Sequence, residues 1–539
     1  MIQRTLRAAY NRLTLAEAAQ QSFDVIIIGS GAGGGTLARL LAGSKLKILL
    51  LERGDFIPQH SDNHDPVINY SSYKYRHTEL AVDGYTGKSI PIKNSFCVGG
   101  RTKFYGASLL RFREIDFEEI QFPDGISPAW PISYRELEPY YCRAEHLYGV
   151  HGCDTKDPTA PFRGQPYPFP ELPWDPYIAQ VTAALEKQNL SPAPIPIAID
   201  YRSGGRCVFC NACDGYPCMR LAKMDSEVCG VLPALDDPNV SLLTNAVALR
   251  ILTNTDGDKA EAVEISSGES EATLYAKHIA VCCGAIESAL LFLRSATAKH
   301  PRGLANSSGL VGRNLMLHNF SILIPISPSR RNTSRFQKHF LLHDYYQSDS
   351  SRKYPLGTVQ LVGRLPIHAQ LPQWSKQLGL WLEDHSIQLF VMSEDLPNAA
   401  NRVECSDEGT KRIFYRPNNL EPHRALVKKT VAHFRKADFP FVVRKLAAFW
   451  ETLGAHDCGT LRFGNHPAHS VLNPLNQTWD IDNLYVVDAS FFPTSAAVNP
   501  VLTLLAQTIR VADHLASKLA LSHPEPTTGF CPHTQVNQA

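Results

Sequence analysis

A glycine-rich turn between a strand and a helix is the feature that most constrains this chain. Residues 29–34 read Gly-Ser-Gly-Ala-Gly-Gly and directly follow the β-branched run of residues 23–28, which is typical of a strand buried on both faces. In a G-x-G-x-x-G turn the first glycine permits the tight bend and the second lets the backbone approach a pyrophosphate. The third lets helix and strand pack closely, so that the helix N-terminus faces the phosphates. We predict a dinucleotide site that includes Gly29, Gly31, Ala32 and Gly34.

An acidic residue after the second strand strengthens this prediction. Residues 46–51 form another apolar run, and Glu52 follows it, at the distance of about 20 residues that dinucleotide-binding units show. A carboxylate there can accept hydrogen bonds from ribose hydroxyls. This first βαβ unit does not distinguish NAD from FAD.

Length and charge exclude several other classes of protein. The chain has 539 residues, and a single hydrophobic core stops growing at about 250–300 residues, so we expect more than one domain. The formal net charge of +1 creates no field for a polyanion, so we expect no nucleic-acid partner. No apolar run reaches the ~20 residues of a transmembrane helix.

The N-terminus and the cysteines bear on location. Residues 1–21 lack the apolar stretch of a secretory signal. They are typical of a basic amphipathic extension, either packed on the protein or in peripheral contact with a membrane surface. Thirteen cysteines are too sparse for a secreted disulfide scaffold of this length, so we predict reduced thiols in the cytoplasm.

Several motifs resemble those of one enzyme family. Residues 456–464 read HDCGTLRFG, residues 483–515 contain VVDASFFPTSAAVNPVLT, residues 98–111 read VGGRTKFYGASLLR, and residues 309–318 read GLVGRNLMLH. Together with the N-terminal turn, they resemble the glucose-methanol-choline (GMC) family of flavoprotein oxidoreductases. The likeness covers nearly the whole chain, in the order that the family shows.

The resemblance implies an interleaved α/β architecture. It has a Rossmann-like FAD-binding domain and an α+β substrate-binding domain built on an antiparallel sheet. The implied FAD-binding domain takes residues 22–130, 223–318 and 456–516, and the substrate-binding domain takes 131–222 and 319–455, with a cysteine-rich loop at 203–229. Residues 523–539 are predicted to be a flexible tail.

The resemblance also implies FAD rather than NAD. Some relatives attach FAD covalently to a histidine after the paired glycines, but residues 101–105 contain none, so we expect noncovalent FAD. The residues carried over by motif are Gly29, Gly31, Gly34 and Glu52 for the ADP half, Gly99, Gly100 and Thr102 beside the pyrophosphate and flavin, Val247 at the adenine, Gly284 at a second backbone approach, and Asp488 and Ala489 over the pyrophosphate and ribityl chain.

Two residues match the catalytic positions of the family. His456 lies where the family has its catalytic histidine, and an imidazole that titrates near neutrality suits removal of a hydroxyl proton. Asn499 matches the second active-site position, where an amide can donate to the substrate oxygen. Taken alone, a loop histidine is usually structural, and an asparagine before Pro500 is usually turn chemistry. His318 ends another family motif, and the sequence assigns it no role.

The implied function is oxidation of a CH–OH group, in a sugar, polyol or other alcohol, with hydride transfer to flavin N5. A dehydrogenase that uses a quinone or an electron-transfer protein is preferred. The alternatives are an oxygen-using oxidase, a GMC-fold lyase or light-driven decarboxylase, and an FAD-binding protein without turnover. Four aromatic residues suit either a sugar-binding wall or a core: Tyr345, Tyr346, Trp374 and Trp381.

Four cysteines are clustered in the spacing Cys207-x2-Cys210-x2-Cys213-x4-Cys218. This is close to a ferredoxin run, although Pro217 precedes the last cysteine instead of following it. Converging thiolates suit iron–sulfur clusters and structural zinc. The segment is also similar to the cysteine-rich loop of gluconate- and sugar-dehydrogenase-like members, some of which carry an iron–sulfur cluster. A metal-free loop, an iron–sulfur cluster and zinc are the three alternatives.

Overall fold

The computed structural model describes residues 11–350, 352–406, 409–446 and 455–519. Ten residues of the predicted N-terminal extension and the whole predicted tail lie outside these ranges. The helices are α1 (Leu15–Ala19), α2 (Ala32–Leu41), α3 (Pro66–Tyr70), α4 (Tyr134–Tyr148), α5 (Pro176–Glu186), α6 (Leu232–Ala234), α7 (Ala285–Arg294), α8 (Lys376–Asp384), α9 (Leu420–Lys436) and α10 (Val501–Lys518).

Within these ranges the strands fall into five sheets. They are β1 (Ser22–Ile28), β2 (Ile48–Leu51), β3 (His77–Asp83), β4 (Ser89–Asn94), β5 (Ile120–Phe122), β6 (Gly125–Ser127), β7 (Val150–Gly152), β8 (Phe169–Pro170), β9 (Ala193–Pro194), β10 (Ile197–Ala198), β11 (Val240–Leu243), β12 (Val247–Thr253), β13 (Ala260–Ser267), β14 (Ser270–Val281), β15 (His318–Ile326), β16 (Phe340–Leu342), β17 (Thr358–Leu361), β18 (Leu389–Glu394), β19 (Arg402–Cys405), β20 (Lys411–Phe414), β21 (Phe441–Leu446) and β22 (Leu484–Val486).

A seven-stranded sheet forms the first layer, in the order β11-β2-β1-β14-β13-β12, with β22 paired to β14. Strands β11, β2, β1, β14 and β22 run parallel, and β12 and β13 add an antiparallel edge. Its central strands are apolar on both faces because helices cover the sheet. Three separated stretches of chain therefore build one sheet, although the boundaries of the domains stay a prediction.

The second large sheet is antiparallel and has six strands, in the order β21-β15-β18-β17-β16-β9. Helices α5 and α9 cover one of its faces, where Val181 and Leu426 join a buried cluster with Leu323 and Leu389. The mixed α/β fold with an antiparallel second sheet confirms the predicted fold class. Among the described residues, no helix is both long and apolar enough to cross a bilayer.

Two segments differ from simple expectation. Residues 60–95 are polar and weakly periodic, yet they form α3 and the hairpin of β3 and β4, which joins β19 and β20 in a four-stranded sheet. The basic stretch of residues 424–444 is typical of one helix, but α9 ends at Lys436. Asp438 then adopts a φ of 66°, and Pro440 cannot continue a helix, so β21 follows instead.

Candidate active site

A cavity of about 610 Å³ lies against both large sheets. On one side it is lined by the glycine turn after β1 and by the starts of three helices. On the other side it is lined by side chains of β15, β17 and β18, together with Asp214, Lys338, residues 455–457 and Asn499. We call these the cofactor wall and the substrate wall.

The glycines of the turn have different surroundings, and these test whether a dinucleotide fits. A Cβ on Gly33 would lie 1.7 Å from the carbonyl oxygen of Val487, and one on Gly34 would lie 1.8 Å from that of Gly29. Both glycines are therefore needed for packing. Gly31 lines the cavity, and a Cβ there would meet no protein atom within 4 Å. The turn thus presents bare backbone to open space, as a pyrophosphate requires.

Three helix N-termini also open onto the cavity. Helices α2, α7 and α10 begin after Gly31, Gly284 and Pro500, and none of these three residues has a side chain that accepts a hydrogen bond from the helix. The first N–H groups of each helix are left for another acceptor, and the helix dipole favours negative charge there. Gly284 has a φ of 86°, which glycine adopts without strain. These residues fit the phosphates and the oxygen-rich edge of a flavin.

Glu52 lies at the end of β2 and lines the same cavity. Its carboxylate accepts hydrogen bonds from the backbone N–H and Oγ of Ser30, at 3.0 and 2.6 Å, and from the N–H of Gly54 at 3.1 Å. Burial raises the pKa of Glu52, and these hydrogen bonds oppose the increase. The side chain is thereby fixed beside the turn, with lone pairs left for ribose hydroxyls.

The loop after Cys97 places two of its three predicted residues on the cavity. Gly100 and Thr102 line it, whereas Gly99 lies one layer behind, where its N–H donates to Oγ of Ser30 at 3.1 Å. Thr102 Oγ1 donates to the carbonyl of Gly99 at 2.6 Å and accepts from the N–H of Ser226 at 2.9 Å. The loop is therefore fixed by hydrogen bonds on its protein side.

The remaining predicted cofactor residues meet at the same wall. Val247, Gly284, Asp488 and Ala489 all line the cavity. The Asp488 carboxylate accepts hydrogen bonds from the N–H groups of Gly284 and Ser490, each at 2.9 Å, and from Oγ of Ser288 at 2.5 Å. Burial raises the pKa of Asp488 against these bonds. Asp488 thus holds the start of α7 against the turn after β22.

On the substrate wall, His456 contacts His318, the histidine that ends the motif of residues 309–318. The Nδ1 atoms of His456 and His318 lie 3.0 Å apart, and their rings meet edge to face at 84°. Burial lowers the pKa of His318 to about 3, and His456 adds to the effect. Burial, followed by the charges of Arg101 and Lys338, lowers the pKa of His456 to about 4. Both imidazoles are neutral at physiological pH.

The partners of His318 fix the protons on both rings. Its Nε2 lies 3.1 Å from the carbonyl oxygen of Ser495, which can only accept, so Nε2 carries the hydrogen. In a neutral ring Nδ1 then has no hydrogen, and Nδ1 of His456 must donate to it. Nε2 of His456 keeps a free lone pair, which is what a general base needs.

Asn499 is oriented by a residue that sequence reasoning missed. Nε2 of Gln360, on β17, donates to Oδ1 of Asn499 at 3.0 Å. The amide oxygen of Asn499 is therefore occupied, and its NH2 group can donate to an oxygen atom in the cavity. Asn499, Gln360 and His456 all line the cavity. No motif marks Gln360, because only the pairing of β16, β17 and β18 brings it to this wall.

The four aromatic residues considered for substrate binding lie away from the cavity. Tyr346 is buried and donates hydrogen bonds to the carboxylate of Asp116, and Tyr345 pairs with His433. The side chain of Trp374 is 87% exposed, and Trp381 stacks on His385. The apolar part of the substrate wall comes instead from Phe320, Ile322, Phe390 and Met392.

The four clustered cysteines surround a small gap of about 20 Å³, which His64 and Lys223 also line. Burial raises the pKa of Cys207 to about 11 and also raises the pKa of Cys210 and of Cys213, so these thiols stay protonated. Burial opposes ionisation of Cys218 as well, but a hydrogen bond with His64 and the charge of Lys223 lower its pKa to about 7.

Within the ranges that the structure describes, no group of three or more His, Cys, Asp or Glu side chains is arranged to hold a metal ion. In this arrangement Cys207, Cys210, Cys213 and Cys218 do not form a set of ligands for an iron–sulfur cluster or zinc.

Comparison with known proteins agrees with this site. Two family models, both described as GMC oxidoreductase, match residues 175–320 and 398–508. The chain is 30% identical over 532 residues to the paromamine 6'-oxidase of Streptomyces fradiae, and the match covers 93% of this chain and 92% of that protein. The chain belongs to the GMC oxidoreductase family.

Two further proteins are similar to this GMC oxidoreductase over nearly all of its length. It is 28% identical to the 2-methyl-1,2-propanediol dehydrogenase of Mycolicibacterium austroafricanum, over 92% of this chain and 96% of that protein. The crystal structure of a pyridoxine 4-oxidase from Mesorbium loti has the same fold, with a TM-score of 0.63 at 18% identity, over 92% of this chain and 99% of that one. As predicted, this GMC oxidoreductase is an FAD-dependent enzyme that acts on CH–OH donors.

Proposed function

We propose that His456 is the base and Asn499 the oxygen-binding residue for oxidation of an alcohol. The observation that supports this assignment is the hydrogen-bond chain from the Ser495 carbonyl through His318 to His456. This chain leaves a lone pair on Nε2 of His456, in the wall of the same cavity as Asn499.

In the proposed mechanism the substrate hydroxyl donates its hydrogen to Nε2 of His456. The NH2 group of Asn499 donates to the same oxygen as negative charge develops on it, and Gln360 keeps that amide in orientation. Bound FAD supplies the two-electron acceptor for the hydride that leaves the carbinol carbon. The C–O single bond becomes a carbonyl, and His456 is left protonated between Arg101 and Lys338, whose charges favour release of that proton.

We propose that FAD is bound noncovalently. The loop at 101–105 contains no histidine, and its Arg101 is engaged with Asp457 at 2.6 Å and with Asn94 at 3.0 Å. Gly31, Glu52 and the starts of α2, α7 and α10 supply enough backbone and carboxylate contacts to hold the cofactor without a covalent bond. Precipitation of the protein with acid should release all of the flavin into the supernatant.

The electron acceptor is proposed to be a quinone or a protein, as in a dehydrogenase. The likeness to a diol dehydrogenase supports this proposal, while the likeness to a paromamine oxidase supports oxygen. Mixing reduced enzyme with air-saturated buffer, and separately with a quinone, distinguishes them. Reoxidation by the quinone at least about a hundredfold faster than by oxygen would support the dehydrogenase proposal, and the reverse order would contradict it.

The central test is anaerobic reduction of the bound flavin by a panel of sugars, polyols and aliphatic alcohols. We expect at least one alcohol to bleach the flavin absorbance. His456→Ala should slow the bleaching by about 10²–10⁴-fold with unchanged FAD content, because that is the range that general bases contribute. His469→Ala, a histidine in a surface turn, is the matched control and should change nothing.

Two outcomes would contradict the proposal. If no alcohol reduces the flavin, the GMC-fold lyase or decarboxylase alternative, or an FAD-binding protein without turnover, becomes the better interpretation. If alcohols reduce the flavin equally fast in the wild type and in His456→Ala, the family's activity stands, but its base is another residue.

A further inference from the structure

The substrate wall contains a buried ion pair of which the proposed mechanism uses only the charge of Lys338. Nζ of Lys338 lies 2.6 Å from Oδ1 of Asp214, and the two side chains are 3% and 17% exposed. Both residues line the cavity. A Cβ on Gly106 would come within 1.9 Å of both charged atoms, so glycine at this position leaves the space that the pair fills.

The pair has unused hydrogen-bonding capacity on the cavity. An ammonium group has three donors, and the structure engages one donor of Lys338, with Asp214. The other carboxylate oxygen of Asp214 accepts from the N–H of Gly363 at 2.8 Å. Each carboxylate oxygen can accept a further hydrogen bond. Donors and acceptors therefore lie side by side in the wall of one cavity.

Gln360 adds an unpartnered acceptor. Its side-chain Nε2 donates to Asn499, but its Oε1 is buried and has no hydrogen-bond partner among the described residues. The residue is 2% exposed and lines the cavity. A buried amide oxygen without a partner costs about 1–3 kcal/mol, so it points to a donor that comes with a ligand.

A hydroxyl group matches this arrangement better than a charged group does. It can accept from Lys338 and donate to Asp214 or to Gln360 Oε1. The ion pair is electrically neutral, and a substrate carboxylate that accepted from the free donors of Lys338 would lie beside the negative charge of Asp214 and be repelled by it. A purely apolar chain would leave Gln360 Oε1 and two ammonium donors without partners.

The cysteine-rich loop holds Asp214 in this position. Asp214 directly follows Cys213, and Nζ of the buried Lys223 donates to the carbonyls of Cys213, Tyr216 and Tyr105, at 2.9, 2.6 and 2.9 Å. Lys223 thereby fastens the loop to the segment that contains Gly106. This gives the loop a role in shaping the substrate wall that requires no metal.

We propose that Lys338, Asp214 and Gln360 form a subsite that binds a second hydroxyl group of the substrate, so that the enzyme prefers polyols to simple alcohols. The inference rests on the proposed alcohol oxidation. It gives them a role in selecting the substrate, in addition to the charge by which Lys338 acts on His456 and the hydrogen bond by which Gln360 orients Asn499.

The test compares four-carbon alcohols in the FAD-loaded enzyme. The rate of anaerobic flavin reduction per unit concentration is measured for butan-1-ol, butane-1,2-diol, butane-1,3-diol, butane-1,4-diol and erythritol. We expect the wild type to prefer at least one polyol to butan-1-ol by about tenfold or more, as a hydrogen bond to a charged group supplies. Lys338→Met should lower this ratio by about tenfold or more.

Two further variants control for folding and for charge. Lys338→Met/Asp214→Asn removes both charges together, so no unpaired charge is buried, and it should lower the ratio in the same way. Lys277→Met breaks the surface pair of Lys277 with Asp24 and should leave all rates unchanged. FAD content and thermal unfolding of each variant verify that it is folded.

A binding measurement does not depend on turnover. In the His456→Ala holoenzyme, the change in the flavin absorption spectrum reports binding of erythritol and of butan-1-ol. Lys338→Met in this background should weaken the binding of erythritol more than that of butan-1-ol.

The proposal would be overturned by a preference ratio that stays unchanged in both Lys338 variants, or by a wild type without any preference for polyols. A wild type that is reduced by none of these alcohols contradicts the proposed function itself, and the subsite with it. Reduction by butan-1-ol and by the polyols at equal rates contradicts the subsite alone.

Discussion

The two walls of the cavity use different chemical groups of the chain. The cofactor wall consists of backbone: the bare turn at Gly31 and the uncapped starts of α2, α7 and α10. The substrate wall consists of side chains that hydrogen-bond to one another: His318 is paired with His456, and Gln360 donates to Asn499. A site made of backbone groups binds phosphates, which are common to the cofactors of many proteins. A site made of side chains determines which reaction occurs and which substrate binds.

The two walls also differ in their ionisable groups. On the cofactor wall, Glu52 and Asp488 are held by N–H and O–H donors of the chain. On the substrate wall, burial keeps His318 and His456 neutral, while Arg101 and Lys338 supply positive charge near them. The carboxylates of the cofactor wall are therefore stabilised without a ligand, whereas the substrate wall keeps a neutral base.

The largest effect is expected on the substrate wall. Asn499→Leu removes the donor for the developing negative charge and should lower the rate of flavin reduction by about 10²–10³-fold. FAD content should stay unchanged, since α10 would contact the cofactor through the backbone N–H groups of its uncapped start. Asn398→Leu, in an exposed turn, is the matched control. A loss of FAD together with activity would show that Asn499 belongs to the cofactor wall.

A pair of glycine variants separates packing from cofactor binding. Gly33→Ala puts a methyl group 1.7 Å from a backbone carbonyl and should destabilise the fold by about 1–3 kcal/mol or more. Gly31→Ala meets no protein atom, so it should lower the unfolding temperature only by weakening FAD binding. Thermal unfolding with excess FAD distinguishes them, because the temperature of Gly31→Ala should recover and that of Gly33→Ala should not. Equal recovery would contradict the distinction.

The pH dependence tests the neutral base. The pKa of His456 is lowered to about 4, so its neutral form persists as the pH falls below the ordinary histidine value of 6.5. The rate of flavin reduction should stay nearly constant down to about pH 5 and fall below pH 4. A histidine with an ordinary pKa would already have lost about 90% of the rate at pH 5.5.

Stability must be separated from this rate. A lowered pKa in the folded state contributes stability that is present above pH 6.5 and is lost as the pH falls toward 4, since the unfolded chain binds the proton more tightly. Rapid pH-jump mixing measures the rate before the protein unfolds. A rate that halves near pH 6.5 would contradict the effect of burial on His456.

The smallest effect is expected for the aromatic residues outside the cavity. Trp374→Ala should change kcat/KM by less than about twofold, because the side chain is exposed and lines no part of the substrate wall. Phe390→Ala, within that wall, is the comparison and should raise KM. A large effect of Trp374→Ala would place that surface in the path of the substrate.

Much of the cofactor wall could be predicted from the sequence. The turn at Gly31 and the carboxylate of Glu52 were predicted because close backbone approach restricts which residues can occupy those positions. On the substrate wall, His456 and Asn499 could be named only through their likeness to a family. His318, Gln360 and Lys338 could not be given a role, because an isolated histidine, glutamine or lysine has no local pattern that separates a site from a surface.

The cysteine loop shows the limit of spacing as a guide. Four cysteines within 12 positions suggested a metal, but spacing does not determine whether the thiols are ionised or where they point. The tertiary structure buries Cys213, leaves Cys210 exposed and brings the neighbouring Asp214 to Lys338.

The dinucleotide turn, the alternation of strand and helix, and the family can be recognised from the order of the residues, since these depend on local backbone requirements and on motifs in order. Which side chains face the cavity, and which nitrogen of each imidazole carries the proton, is set by the folded chain. Those properties depend on burial and on partners that lie more than a hundred residues apart, such as His318 and His456 or Lys338 and Asp214.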